Sequence, residues 1–121
     1  MPDSRFPVAV IQGVPVITIP EEIDITSAEA LWSTLLAVAA NGHKTVVADM
    51  TGTRFCDSSG LHTLLRAHKL AVAEGGELRL VVPASGAVPR VISLICMDVF
   101  IPCFASLAEA LAPSPASSAQ P

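Results

Sequence analysis

From Thr45 onward, the hydrophobic pattern of this chain switches repeatedly between strand-like runs and helix-like repeats, and that alternation most constrains its fold. Thr45 to Ala48 is a short apolar run without alternation, as expected of a strand covered on both faces. Beyond Gly60, Leu61, Leu64, Leu65, Leu70 and Val72 recur at helical spacing until the Gly75-Gly76 pair, and Glu77 to Val82 is again strand-like. A third helix is expected over Val88, Val91, Ile92 and Ile95, with Pro89 in its first turn, where a missing N–H is tolerated. Ile101 to Phe104 reads as a last short strand, and Ser106 to Glu109 as a capping box opening a final helix through Leu111. Strands separated by helices need crossover connections, so they lie parallel.

The amino-terminal part adds an antiparallel edge. Val8 to Gln12 and Val14 to Ile19 are β-branched runs hinged at Gly13, which predicts a hairpin. Thr26 to Glu29 has the Ser/Thr-x-x-Glu form of a capping box, followed by Ala28, Leu31, Leu35, Leu36 and Ala39 at helical spacing, with a stop at Asn41-Gly42. The expected architecture is α/β: a mixed, mostly parallel sheet of about five strands with a leading hairpin and about four helices. One domain over residues 1–112 accounts for the pattern, since 121 residues suit one core and not two. Residues 113–121, rich in Pro, Ser and Ala, are expected to be a disordered tail.

Composition excludes several functions. Seven Lys and Arg against eleven Asp and Glu leave a net charge of −4, and no basic run follows a phosphate backbone, which argues against nucleic acid as a partner. No stretch of eighteen apolar residues occurs, so neither a membrane span nor an export signal is expected, and the chain reads as cytoplasmic. Cys56, Cys96 and Cys103 lie in apolar surroundings without zinc-type spacing, which predicts reduced core thiols and no metal. A redox role for Cys56 would need a thiolate stabilised near a helix start.

The densest cluster of polar signals is Asp57-Ser58-Ser59-Gly60, placed after a strand at the apparent start of a helix. Asp57 or Ser58 as N-cap would satisfy a free N–H group, and the same helix start would stabilise a phosphate carried on a serine. Both uses fit the residue types. A hydrolase is poorly supported: Ser58 or Ser59 with His62 has no acid to orient the imidazole, and no GxSxG elbow is present. His43 and His68 read as a loop residue and a helix-face residue, and no phosphate-binding GxxxxGK[ST] loop occurs.

DSSG followed by an apolar helix, preceded by TVVADM and EEIDITSAEAL and followed by SGAVPRVISLICMDVF and SLAEAL, resembles the STAS domain of bacterial anti-sigma-factor antagonists from Val8 to Leu111. The resemblance implies a STAS fold and a non-enzymatic binding module without a cofactor. Its unphosphorylated form would bind an anti-sigma factor that is also a serine kinase, freeing a sigma factor. It further implies that Ser58 is the phosphoacceptor, that a serine phosphatase restores binding, and that Ser59 is a neighbouring structural serine. Glu22, Ile23, Asp24, Asp57, Ser58, Ser59 and Gly60 would form the partner-facing surface. Three residues depart from the family pattern: Glu21 stands where glycine is usual, Pro89 is unusual in the third helix, and Cys56 replaces a bulkier apolar residue. The same fold also serves as an accessory subunit of lipid-transport complexes or as an interaction module that is not switched, and these are the alternative readings.

Overall fold

A computed structural model describes residues 6–112. Strands β1 (Val8–Ile11) and β2 (Val14–Thr18) form the expected hairpin. Its two-residue turn holds both Gln12 (φ 54°) and Gly13 (φ 79°) in the left-handed region, the geometry that matches the twist of tight hairpins. Gln12 therefore belongs to the turn rather than to β1.

The main sheet has five strands in the order β1-β2-β4-β6-β7, with β4 (Thr45–Asp49) at its centre, β6 (Glu77–Val81) beside it and β7 (Cys103–Phe104) at the far edge. All contacts beyond the hairpin are parallel, including Val47 opposite Arg79 and Ile17 opposite Ala48. Val46, Val47 and Ala48 are all buried, so the unalternating run does mark a strand covered on both sides.

The two faces are unequal. Ile17, Val46, Ala48, Leu78 and Leu80 pack beneath α1 (Ile25–Ala40), α2 (Ser58–Ala73) and α3 (Ala87–Leu94) in the principal core. On the other face Val16, Val47 and Val81 are covered by Ala110 and its neighbours from the short helix α5 (Leu107–Leu111). Arg79 is buried on that thinner side. Its guanidinium donates to the carbonyl oxygens of Ala110 and Ala112, each at 2.8 Å, pairs with Glu77 and lies 5.8 Å from the Phe104 ring centroid. Carbonyls at a helix end lack intrahelical donors, and here a buried cation supplies them.

Several local expectations change. The box opening α1 is made by Asp24 and Ser27: the Asp24 carboxylate accepts from the Thr26 and Ser27 N–H groups, and Ser27 Oγ accepts from the Asp24 N–H. Thr26 and Glu29 do not form it, because the chain is already fixed by Ile23, which is fully buried, and Asp24 is the first residue free to turn. Cys96 is exposed rather than in the core: the third helix ends at Leu94, Ile95 and Cys96 form a break with Cys96 at φ 60°, and a separate turn of helix, α4 (Met97–Phe100), follows. His68 is buried, its Nδ1 accepting the Leu78 N–H at 3.2 Å. Pro89 does sit in the first turn of α3, and Ser106 caps α5 by accepting the Glu109 N–H. The tail from residue 113 lies outside the described residues. No helix among them is long and apolar enough to cross a membrane.

Candidate functional site

Two strands too short to show any periodicity build the site. β3 (Glu22–Ile23) and β5 (Phe55–Cys56) pair in parallel, Glu22 opposite Phe55 and Ile23 opposite Cys56. Each runs directly into the N-cap of a long helix, Asp24 for α1 and Asp57 for α2, and the Asp57 N–H donates to the Ile23 carbonyl at 3.1 Å. Residues more than thirty apart in sequence thus meet, and Glu22, Ile23 and Asp24 lie alongside Asp57, Ser58 and Ser59. Glu21 is accommodated without a left-handed φ; its carbonyl accepts from the Arg54 and Phe55 N–H groups at 2.8 and 3.1 Å. Thr53 Oγ1 donates to the Pro20 carbonyl at 3.0 Å and closes the same corner.

Gly60 is needed for this junction. A Cβ there would overlap Ile23 Cγ2 and stand 2.7 Å from Cys56 Sγ, so only glycine lets α2 approach both strands of the small sheet. Asp57 caps α2 by accepting the Gly60 N–H at 3.1 Å. Ser58, the first helical residue, is exposed, whereas Ser59 is half-buried and its carbonyl accepts from Thr63 Oγ1 at 2.9 Å. The Ser58 and Ser59 N–H groups precede the first helical hydrogen bond and face outward with the positive end of the helix dipole.

Charge at this corner is mainly negative. The Asp24 carboxyl is held below its ordinary range chiefly by the Thr26 hydroxyl. Burial, reinforced by the Asp57 charge, pushes the Cys56 thiol up to about 12, so it stays protonated; the dipole does not offset the loss of water. That environment suits an inert core thiol. Among the described residues no cluster of His, Cys, Asp and Glu is placed to hold a metal ion.

Beside the serines lies an apolar cleft of about 570 Å³ between α2 and the α3–α4 segment, lined at one side by Ser58, Ser59 and His62 and at the other by Val91, Ile95 and Phe100. Around it the surface is unusually apolar: Leu94 and Val99 are each 75 % exposed and Phe100 63 %. These residues had no part in the site expected from sequence. A signal was present, since VISLICMDVFI is apolar at nearly every position, more than one helix face could bury.

The STAS domain model matches residues 5–110, nearly the whole chain. The chain belongs to the STAS domain family. An anti-sigma factor antagonist from Mycobacterium paratuberculosis is 30% identical and superposes with a TM-score of 0.80, covering 88% of this chain and 89% of its own. An anti-sigma-factor antagonist (STAS) domain protein from Planctomyces limnophilus is 26% identical, with a TM-score of 0.75 and coverages of 88% and 94%. The phosphorylated form of the Bacillus cell fate determinant SpoIIAA shares the fold at 22% identity and a TM-score of 0.67, covering 88% of this chain and 96% of its own. No curated protein sequence matches this STAS chain significantly.

Proposed function

We propose that this STAS domain is a cytoplasmic anti-sigma-factor antagonist whose partner binding is switched at Ser58. The observation that carries the reading is the position of Ser58: exposed at the first turn of α2, between the Glu22 to Asp24 corner and an open apolar cleft. Structural relatives described as anti-sigma factor antagonists support the general role. In the unmodified state the apolar residues around the cleft and the acidic corner bind an anti-sigma factor that is itself a serine kinase, releasing a sigma factor. Phosphorylation moves the γ-phosphoryl group of a nucleoside triphosphate to Ser58 Oγ; the Pγ–O bond to the diphosphate breaks, and the hydroxyl proton is lost.

The added group brings about −1.5 to −2 charges next to Asp57 and across from an apolar wall. Burying it against a partner surface would cost its hydration and leave net negative charge beside Asp57 at the interface, so binding is lost while the fold, capped by Asp57 and closed by Gly60, persists. A serine phosphatase resets the switch. The partner role needs Ser58, Asp57, Ser59 and Gly60 together with Glu22, Ile23 and Asp24.

Incubation with magnesium-ATP and an extract of the native host, followed by peptide mass spectrometry and capture of bound proteins, tests the reading. A single phosphate on Ser58, absent from Ser58→Ala, is expected, with Ser58→Ala retaining a kinase that Ser58→Asp fails to retain. Equal capture by parent and both variants, or co-purification with a transport ATPase irrespective of phosphate, refutes it.

A further inference from the structure

Ser58 and His62 are four residues apart on α2, and both line the same cleft. Positions i and i+4 are surface neighbours on a helix, about 5–6 Å apart at Cβ. Helical side chains also lean toward the amino end, which tilts the His62 imidazole toward Ser58. Ser59 has no such neighbour: its i+4 position is Thr63, buried and bonded back to the Ser59 carbonyl. We infer that His62 is the counter-charge for a phosphate on Ser58, taking up a proton when the phosphate is present and donating an N–H hydrogen bond to one of its oxygens. The inference rests on Ser58 being the phosphoacceptor.

The surroundings leave His62 this task. Asp57, the N-cap, repels a phosphate. Arg66, the next cation along that face, is engaged over the Trp32 ring at 4.2 Å from its centroid. Opposite, the cleft wall is Val91, Ile95, Met97 and Phe100, none of them charged. The charged residues of α3 and α4, Arg90 and Asp98, are exposed and do not line the cleft. Arg54, exposed ahead of β5, does not line the cleft either, so among the described residues that line it His62 is the one able to carry a positive charge. His62 is thus a positioning residue for the modified state: it holds the phosphate against α2.

The test uses the full chain with phosphoserine installed at position 58 during translation, so its outcome depends neither on a kinase nor on a partner. NMR titration of the His62 ring protons is compared between phosphorylated and unmodified protein, and ³¹P titration between phosphorylated parent and phosphorylated His62→Gln. The imidazole midpoint is expected to rise by about one pH unit on phosphorylation. By reciprocity the second ionisation of the phosphate should fall in the parent and return upward in His62→Gln. Identical imidazole midpoints with and without phosphate, or a ³¹P curve unmoved by His62→Gln, overturns the inference. A failure of host extract to phosphorylate Ser58 would instead count against the switch itself and leave these titrations unaffected.

Discussion

Replacing Gly60 by alanine tests how the serine loop is held in place. The new Cβ would overlap Ile23 Cγ2 and approach Cys56 Sγ to 2.7 Å, with Ile23 Cβ at 3.3 Å. The Ile23 atoms sit at or next to the branch point of a fully buried side chain, so they cannot swing aside without moving β3. Overpacking of this kind costs about 1–3 kcal/mol. Alanine in a helix gains back up to about 1 kcal/mol relative to glycine. Because the overlapped atoms belong to a fully buried branch point, the upper part of that cost applies, about 2–3 kcal/mol, and the net expectation is a loss of about 1–2 kcal/mol, or about 4–10 °C in Tm for a domain of this size. Gly52→Ala is the control, since nothing lies within 4 Å and its φ is not positive; it should stay within about 0.5 kcal/mol. Urea and thermal denaturation followed by circular dichroism read both variants. In an Ile23→Ala background the cost of Gly60→Ala should shrink, because the overlapped atom is gone. A Gly60→Ala protein as stable as the parent, or an undiminished cost in that background, would show that packing against Ile23 does not select glycine here.

Arg79→Ala removes two charge-assisted bonds to the Ala110 and Ala112 carbonyls and should cost about 2–3 kcal/mol in urea denaturation; Arg79→Lys, which lacks the planar fork, should recover only part of it. Thiol labelling at pH 8 should show one fast cysteine, Cys96, while Cys103, whose thiol burial pushes up to about 11, and Cys56 react only on unfolding; peptide mapping identifies each. Burial holds the His68 imidazole below its ordinary value, so the unfolded chain takes up the proton first as pH falls. Its contribution is therefore complete above about pH 6.5 and declines as pH drops toward the folded-state value. Denaturation midpoints measured from pH 8 to 5 should fall less steeply in His68→Gln than in the parent.

What the sequence disclosed depended on whether a feature was local. The hairpin follows from β-branched runs flanking Gly13, and the start of α2 from the Asp57-Ser58 pair, either of which suits a cap, because each is decided within a few residues. β3 and β5 were missed because two-residue strands carry no period and exist only through pairing with each other across more than thirty positions. The sequence points to Thr26 as the cap of α1 because Thr26-x-x-Glu29 has the usual form of a box, whereas the chain uses the overlapping Asp24-x-x-Ser27, which the burial of Ile23 selects. His68 was legible in principle, since it continues the stripe of Leu61, Leu64 and Leu65 that faces the core. The apolar cleft was hidden for the opposite reason: an apolar run reads as interior until the fold shows that part of it has nothing to pack against.

The Arg79 clamp also decides where this protein can be handled. By tying Ala110 and Ala112 to the thin side of the sheet, it holds the last described residues away from the face that carries α2 and Ser58. A fluorophore, an affinity tag or a sensor surface attached at Ala112 would sit on the sheet face opposite Ser58, whereas one attached at Cys96 would sit beside the cleft that Ile95 and Met97 line. Attachment on that thin face is accordingly the geometry in which the partner capture and release proposed above would be read without interference from the support.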